Sequence, residues 1–431
     1  MPAPVSPARS PRTALALALV ALLGLTSACI GTTPGGQTIR GEATRRDPNR
    51  EFLPSTVDAT NDFALDLYRV SAPGQGNFVS TPYSIMSALG MARAGSAGST
   101  LDQFDAVLHA RQTANLDEGL GTLDQELASR SGEKSSANRK GRVSASFDAS
   151  VWGQRGTRFK AGYLDILAAD YDSPMWVVDF RSDAETSREA INQWSTEVTQ
   201  DRITEVVRRG DVTAFTRFLP VAVGYLRAPW QIPFERSATR SGRFVELDGD
   251  TVDAQTMQVS APSGLLTAEH PDWEAVEIPY LGGELALLVV VPRIGTFESF
   301  QQGLDAPMVE RITDDLEDQA VDLRLPQFQF TTSADLAGPL EALGLVDAFT
   351  RDADFSGITS DEVLSLSGMA YEGYFGIDED GTDAETTATA PSPESPTPAA
   401  VKLTVDRPFV FAVRDRQTGL ILMLGQVVDP G

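Results

Sequence analysis

The stretch LPVAVGYLRAPW, residues 219–230, is a nearly continuous run of apolar residues, several of them β-branched or aromatic. Such a run is typical of a strand that is buried on both faces. Helical spacing of apolar residues appears mainly earlier in the chain, and strand patterns dominate later, without a convincing linker between them. The sequence therefore predicts one α+β domain with large sheets. Further strands are predicted at residues 146–153, 176–180, 275–280, 284–292, 322–330 and 409–413, and helices at 59–68, 84–94, 101–109 and 189–199.

The first 28 residues are typical of an export signal. Two arginines, Arg9 and Arg12, precede an apolar run at residues 14–25 that is too short to span a bilayer comfortably. Small residues then lead to Cys29, the only cysteine in the chain. This ending resembles a bacterial lipoprotein cleavage site, which implies that Cys29 carries a lipid anchoring the protein to the cell envelope. Cleavage elsewhere would leave a secreted protein.

The segment that follows, residues 29–51, is rich in Gly, Thr, Pro and Arg and has no apolar period. It predicts a flexible tether, so that the folded domain occupies residues 52–431. Residues 129–144 are polar and basic, and this pattern predicts a solvated loop.

The chain is strongly acidic, with a formal net charge of −25 over 431 residues. Such a surface repels phosphate backbones and anionic membranes, so nucleic acid is excluded as an expected partner. The same charge argues against a heparin-like polyanion as an activator.

The sequence offers no catalytic machinery. A nucleophilic hydrolase needs a base beside its nucleophile, and only two histidines exist, His109 at a predicted helix end and His270 in a turn. No nucleophile elbow or phosphate-binding loop is present. The acidic run at residues 378–383 fails the calcium-loop pattern, because Gly381 stands fourth instead of sixth. We therefore expect no enzymatic activity, no metal and no cofactor.

Six segments in the same order resemble the serpin family over nearly all of residues 52–430. The resemblance implies an α+β fold of three β-sheets and about nine helices, with an exposed reactive-centre loop at about 379–405. The segments are NFVSTPYSI (77–85) with GSAGST (95–100), INQW (191–194), APW (228–230) with PF (233–234), IPYLGGE (278–284), LPQF (325–328) and RPF (407–409).

The resemblance also implies a suicide mechanism. A target serine protease, or a cysteine protease, attacks the loop and forms an acyl-enzyme, and the loop then inserts as a new strand that distorts the protease. The inhibitor is expected to act outside the cell as a monomer. The alternative is a non-inhibitory relative that serves as a binding or structural surface protein.

The first half of the loop has the pattern of an inserting strand. It resembles the family's hinge, with an acidic residue, glycine, threonine and then small residues. Because alternate residues of a strand face the same side, one face carries only small side chains, and the other carries the charges Asp383 and Glu385. The hinge residues are Glu379, Gly381, Thr382, Ala384, Thr386 and Ala388. Ala390 lies on the same predicted face as Thr382, Ala384, Thr386 and Ala388.

The second half of the loop is rich in proline. Counting the family's spacing from the hinge glycine selects Ser395–Pro396, and counting back from Pro408 selects a second bond, Thr397–Pro398. Both have proline as the leaving nitrogen, which makes a poor protease substrate. Glu394–Ser395 avoids this objection and is the preferred candidate for the reactive bond, with Ala399–Ala400 as a more distant option.

The residues near these bonds include no arginine or aromatic side chain, so the expected target is an elastase-like or Glu-selective protease. Proline has no N–H for a ladder, so late insertion could stall.

The family's sheet-opening region maps onto Ser84, Trp230, Ala222, Tyr371 and Gln327. Ala222 and Tyr371 stand where the family has a hydrogen-bonded Asn–His pair. Because both members of the pair are replaced, neither is left buried without its hydrogen-bond partner. Gln327 replaces the lysine that would pair with Glu379. The resemblance therefore implies that sheet opening is controlled differently in this chain.

Overall fold

The computed structural model describes residues 30–33, 36–72, 74, 76–136, 139–383 and 400–431. Within these ranges there are nine α-helices and eighteen strands. The helices are α1 (Leu53–Ser71), α2 (Pro82–Arg93), α3 (Gly98–Val107), α4 (Leu116–Ala128), α5 (Ala161–Asp170), α6 (Ala184–Val198), α7 (Phe297–Gly303), α8 (Ala306–Asp314) and α9 (Ala337–Leu343). The strands are β1 (Ile30–Thr33), β2 (Gly36–Ile39), β3 (Phe78–Ser80), β4 (Gly132–Ser136), β5 (Arg139–Gln154), β6 (Met175–Val178), β7 (Phe218–Pro229), β8 (Arg240–Val245), β9 (Thr251–Glu269), β10 (Trp273–Pro279), β11 (Leu285–Pro292), β12 (Glu317–Pro326), β13 (Phe328–Asp335), β14 (Ala370–Ile377), β15 (Gly381–Thr382), β16 (Val401–Thr404), β17 (Phe409–Asp415) and β18 (Ile421–Val427).

The main sheet has the strand order β1-β2-β6-β5-β7-β15-β14-β13, with β4 paired to β5. The apolar run that predicts a doubly buried strand becomes β7, in which every residue except Arg227 is buried. It pairs antiparallel with β5 from Phe218↔Gly153 to Arg227↔Ser144. The pattern is explained by this central position, because both faces of β7 are covered.

The second strand network has the order β16-β12-β9-β10-β11-β17-β18-β3, with β8 paired to β9. The long strand β9 pairs with β8 and with β12, and the β12 ladder has a register shift between Gln319 and Val321. It therefore joins two parts of the network, one around β8 and β16 and one around β10 to β18. The predicted α+β class is confirmed, and the expected three sheets correspond to the main sheet and these two joined parts.

The core lies between the main sheet and the second network. The ring of Phe375 in β14 stacks on that of Phe411 in β17, with centroids 4.6 Å apart and planes 11° apart. Every residue of α2 except Arg93 is buried, as its nearly unbroken apolar sequence predicts. None of the helices in the described part of the chain combines the length and apolarity needed to cross a membrane.

The prediction of a solvated loop at residues 129–144 is wrong. The segment forms the β4–β5 hairpin, and it buries two of its arginines, Arg130 and Arg139. The guanidinium of Arg130 donates to both carboxylate oxygens of Asp415, at 2.8 and 3.0 Å. Charge in the local sequence suggested exposure, because the compensating carboxylate lies 285 residues away.

The single strand predicted at residues 322–330 is also wrong. The chain forms two strands there, β12 and β13, which belong to different networks and are separated by Gln327. Pro326 has no N–H to continue the ladder, and the N–H of Gln327 donates to the carbonyl of Gln255.

The predicted tether differs from what the structure shows for its described residues. Strand β2 lies between β1 and β6 in the main sheet, and the chain from Arg40 to Arg50 then lies against α4 and α5. The carboxylate of Asp165 accepts hydrogen bonds from the N–H groups of Glu42 (2.8 Å) and Ala43 (3.1 Å). We call residues 40–50 the strap, and five ion pairs hold it: Arg40–Asp172, Arg45–Asp124, Arg45–Asp172, Arg46–Asp170 and Arg50–Glu126.

Replacing Arg130 with Ala is expected to lower the free energy of unfolding by about 3–5 kcal/mol, because Asp415 is then left as a buried, unpaired carboxylate. Urea denaturation followed by tryptophan fluorescence measures the loss. The matched control is Arg142→Ala in the same hairpin. Its pair with Glu133 is largely exposed, at 69% and 74%, so the loss should stay below about 1 kcal/mol. If both variants lost the same free energy of unfolding, burial of the Arg130–Asp415 pair would not be the cause of the effect.

Candidate functional site: the loop hinge in the main sheet

The start of the predicted loop is already part of the main sheet. Strand β15 lies between β7 and β14, with Thr382 opposite both Ala228 and Ile377 in antiparallel register. Farther along, β7 and β14 pair directly with each other in parallel, from Val221↔Ala370 to Gly224↔Gly373. The two strands thus form a fork, and the hinge occupies its open end. A strand that continued from β15 would have to separate the directly paired part.

Thr382 and Asp383 point to opposite faces of the sheet. Thr382 is fully buried, and its hydroxyl lies 2.6 Å from the hydroxyl of Tyr280. The carboxylate of Asp383 lies 2.8 Å from the guanidinium of Arg202. This arrangement agrees with the alternation predicted for these two residues, although Asp383 meets an ion partner where water was expected. The same prediction for Ala384, Thr386 and Ala388 falls outside the described residues.

The inserted part of the hinge ends at Asp383. Its N–H still donates to the carbonyl of Gly376 at 3.2 Å, but its φ of 44° lies in the left-handed region. The backbone therefore leaves the strand direction at this residue. Extending β15 requires Asp383 to change to an extended conformation.

Gly381 is required by close backbone contact. A Cβ atom at this position would lie 2.1 Å from the carbonyl oxygen of Ala228 and 2.7 Å from the Cα of Pro229. Both are backbone atoms of β7 and cannot move aside cheaply. The carboxylate of Asp378 also fixes the turn, because it accepts hydrogen bonds from the N–H groups of Asp380 (2.8 Å) and Gly381 (3.1 Å).

Two buried carboxylates precede the glycine. Glu379 is 6% exposed, and its carboxylate accepts a hydrogen bond of 2.5 Å from the hydroxyl of Thr239. Asp380 is also 6% exposed and pairs with Arg236 and, at 3.7 Å, with Arg139. Thr239 thus supplies a donor to Glu379, whose lysine partner in the family is replaced by Gln327 in this chain.

Sequence reasoning placed Gln327 at the missing lysine position but did not find Thr239, Arg236 or Arg139. The only available signal was the acidic run before Gly381, which needs donors once it is buried.

Trp230 supports the hinge from the end of β7. Its indole N–H donates to the carbonyl of Asp378 at 2.9 Å, and its ring stacks on Tyr280 with centroids 4.6 Å apart. Its backbone N–H donates to the carbonyl of Asp380, and its own carbonyl accepts a hydrogen bond from Arg139 at 2.7 Å. The expected sheet-opening residue therefore contacts the hinge directly.

Ala222 and Tyr371 are register partners across the directly paired part of β7 and β14. The hydroxyl of Tyr371 donates to the carbonyl of Val79 at 3.0 Å, so the phenol is satisfied without the family's polar partner. Burial raises the pKa of Tyr371 well above its usual value. Gly373 provides room for the phenol, since a Cβ there would lie 2.0 Å from the hydroxyl oxygen. Ser84 lies nearby at the start of α2, with its hydroxyl 2.7 Å from that of Thr81.

The two histidines lie in separate parts of the fold. The imidazole of His109 is 2.8 Å from the carboxylate of Asp66, and this hydrogen bond raises the pKa of His109. His270 stacks on Trp273 with ring centroids 5.1 Å apart. His109 lies just beyond the end of α3, close to the helix end at which the sequence places it.

The candidate reactive-bond residues Glu394, Ser395 and Pro396, and the candidate lipidation site Cys29, lie outside the described residues. Their assignment remains a prediction from the sequence.

An α+β fold in which a glycine-led hinge enters a fork of the main sheet is the architecture of a serpin. The family model for serpins, described as serine protease inhibitors, matches residues 58–430. The chain belongs to the serpin family, whose members are described as protease inhibitors rather than as enzymes.

Relatives of this chain include archaeal and mammalian proteins. An uncharacterised serpin-like protein of Thermococcus kodakarensis is 32% identical over 382 residues, which cover 87% of this chain and 85% of that protein. The leukocyte elastase inhibitor of Sus scrofa is 28% identical over 386 residues, which cover 86% and 98%. The crystal structure of the thermophilic serpin tengpin in its native state aligns with a TM-score of 0.78 at 21% identity, over 91% of this chain and 97% of that one.

Replacing Gly381 with Ala is expected to displace β15 from the fork, because the added Cβ overlaps the backbone of β7. Amide hydrogen exchange in the segment 376–383 should become at least tenfold faster, as measured by mass spectrometry of peptides. The control is Gly338→Ala in α9, where nothing lies within 4 Å of the added Cβ. Unchanged exchange in Gly381→Ala would show that the close contact does not govern the hinge.

Proposed function

We propose that this protein inhibits an extracellular serine protease by inserting its cleaved loop into the main sheet. The observation that carries the proposal is the position of β15 (Gly381–Thr382), because its last residue, Thr382, already pairs with both β7 and β14. Membership in a family described as serine protease inhibitors supports the same function.

Insertion replaces direct contact between β7 and β14 by two new ladders. In the register of Thr382, a continued antiparallel strand would meet Gly373 and Gly224 four residues later, at Thr386, and Tyr371 and Ala222 two residues after that, at Ala388. The residues that share the buried face of Thr382 are Ala384, Thr386, Ala388 and Ala390, all of them small. The proposed strand therefore fits the sheet without a bulky or charged side chain on its inner face.

The proposed target is an elastase-like or Glu-selective serine protease acting at Glu394–Ser395. The support is the absence of arginine and aromatic residues from the sequence around that bond, and the relative from Sus scrofa that is named as an inhibitor of leukocyte elastase. The proline residues beyond Ala390 are the feature that would favour a non-inhibitory role, since they interrupt hydrogen bonding in a late-inserting strand.

A panel of elastase-like and Glu-selective proteases should reveal inhibition as a 1:1 covalent complex that survives detergent and heat on a gel. Ala384→Glu places a charge on the proposed inserting face and should abolish the complex while leaving cleavage of the loop intact. The matched variant Glu385→Ala changes the opposite face and should keep the complex. If every protease only cleaves the wild-type loop or ignores it, the inhibitory proposal fails and the non-inhibitory alternative is favoured.

We further propose that the protein is exported and held at the cell envelope by a lipid on Cys29. The support is the basic and apolar leader followed by the only cysteine of the chain. Cys29→Ser should move the protein expressed in a bacterial host from the detergent-soluble membrane fraction to the soluble fraction. Intact mass spectrometry of the wild-type protein supplies the direct test, and a mature protein without a lipid-sized mass increase at its first residue would contradict the anchor.

A further inference from the structure

One buried hydroxyl on β7 has no partner in the native sheet. Tyr225 is 1% exposed, and its hydroxyl forms no hydrogen bond with any residue that the structure describes. A hydroxyl taken out of water without a new partner costs free energy, so buried hydroxyls nearly always have one. The exception on a strand that borders the fork therefore needs a physical reason.

Tyr225 lies beside the ion pair at the open end of the fork. Burial raises the pKa of Tyr225 and that of Tyr374 on β14, and the charges of Arg202 and Asp383 act on both phenols. The carboxylate of Asp383 itself lies 2.8 Å from the guanidinium of Arg202. The two phenols, one from each arm of the fork, therefore share the environment of this ion pair.

The register of β15 gives this place an occupant. If the strand continues beyond Thr382, Glu385 falls opposite Tyr225 on β7 and opposite Tyr374 on β14. Residues directly opposite in an antiparallel ladder have their side chains on the same face. Glu385 also shares the face of Asp383, because the two residues are two positions apart. A carboxylate thus enters between two phenols, close to a guanidinium.

The next position of the loop fits the charges of the sheet in the opposite sense. Asp148 of β5 and Glu372 of β14 are both register partners of Val223, so two carboxylates already lie at that level of the sheet. Burial raises the pKa of Asp148 to about 6 and also raises the pKa of Glu372. The loop residue that would meet this level is Thr387, which is neutral. The acidic residue of the loop therefore falls at the level of the phenols and Arg202, and not beside the two carboxylates.

We propose that Tyr225 is a positioning residue for loop insertion, and that its hydroxyl donates a hydrogen bond to the carboxylate of Glu385 in the inserted strand. This inference rests on the proposed insertion of the loop. The native sheet holds the donor without its acceptor, and insertion supplies the acceptor. The hydroxyl thus stabilises the inserted state and contributes nothing to the native one.

The test compares the native protein with the protein whose loop has been cut. Elastase is used to cut the loop, and intact mass spectrometry selects preparations cut once beyond Ala390. Thermal unfolding in a fixed concentration of guanidinium chloride gives the Tm of both forms. The gain in Tm on cleavage measures the stabilisation by the inserted strand.

Tyr225→Phe is expected to leave the native Tm unchanged or slightly higher, because the hydroxyl that it removes has no native partner. In the cut protein it should lower the Tm by about 2–4 °C, because a hydrogen bond to a charged carboxylate is lost. The matched control is Tyr163→Phe in α5, outside the main sheet, whose hydroxyl donates to the carbonyl of Met91 at 3.1 Å. This control should lower the Tm of both forms equally.

A double-mutant cycle identifies the partner. Glu385→Ala should also lower the Tm of the cut protein, and its effect should largely disappear when Tyr225 is already Phe. If wild type gains no Tm on cleavage, the proposed insertion fails and this inference fails with it. If wild type gains Tm and Tyr225→Phe gains as much, insertion stands and the role of Tyr225 is overturned. Additive losses in the double variant would likewise overturn the pairing of Tyr225 with Glu385.

Discussion

The direct ladder between β7 and β14 is the constraint on which the rest of the structure depends. It joins the two halves of the main sheet over four register pairs that end at Gly224 and Gly373, and the hinge enters farther along, opposite Ala228 and Ile377. A strand inserted between them exchanges one ladder for two, and each additional hydrogen bond contributes about 1 kcal/mol net. The native sheet therefore lacks the additional hydrogen bonds that an inserted strand would form. The left-handed conformation of Asp383 marks the residue at which β15 ends.

Buried charges hold the hinge at this point. Asp380 lies between Arg139 and Arg236, and Glu379 accepts a hydrogen bond from Thr239. Burying a carboxylate costs free energy unless it accepts a hydrogen bond or pairs with a cation. These partners therefore offset the cost of burying Glu379 and Asp380 in the partly inserted hinge. They belong to β5 and to the chain between β7 and β8, which flank the open end of the fork. The hinge is thus fixed at its base, and any extension of β15 has to begin beyond it.

The sequence predicted those parts of the fold whose evidence is local. The apolar run of β7 and the buried helix α2 needed no distant partner to be recognised, because their burial is visible in their own residues. The resemblance of six ordered segments to the serpin family then located the hinge in the sequence. The alternation of side chains along a strand predicted that Thr382 and Asp383 face opposite sides.

The sequence failed where a charged residue is compensated from far along the chain. Arg130 of the hairpin was expected in solvent because its partner Asp415 is distant in sequence. The arginine-rich strap was predicted as a flexible tether because the carboxylates that bind it lie on α4, on α5 or just beyond α5. The strap also bears on the proposed insertion. A new strand widens the main sheet by about 4.8 Å, so β5 and β6 have to move relative to the other half or to the helices beneath them. Because β2 pairs with β6 and the strap then binds α4 and α5, the edge of the sheet and these helices are tied together. Insertion must therefore carry both along as one unit or break the ion pairs of the strap.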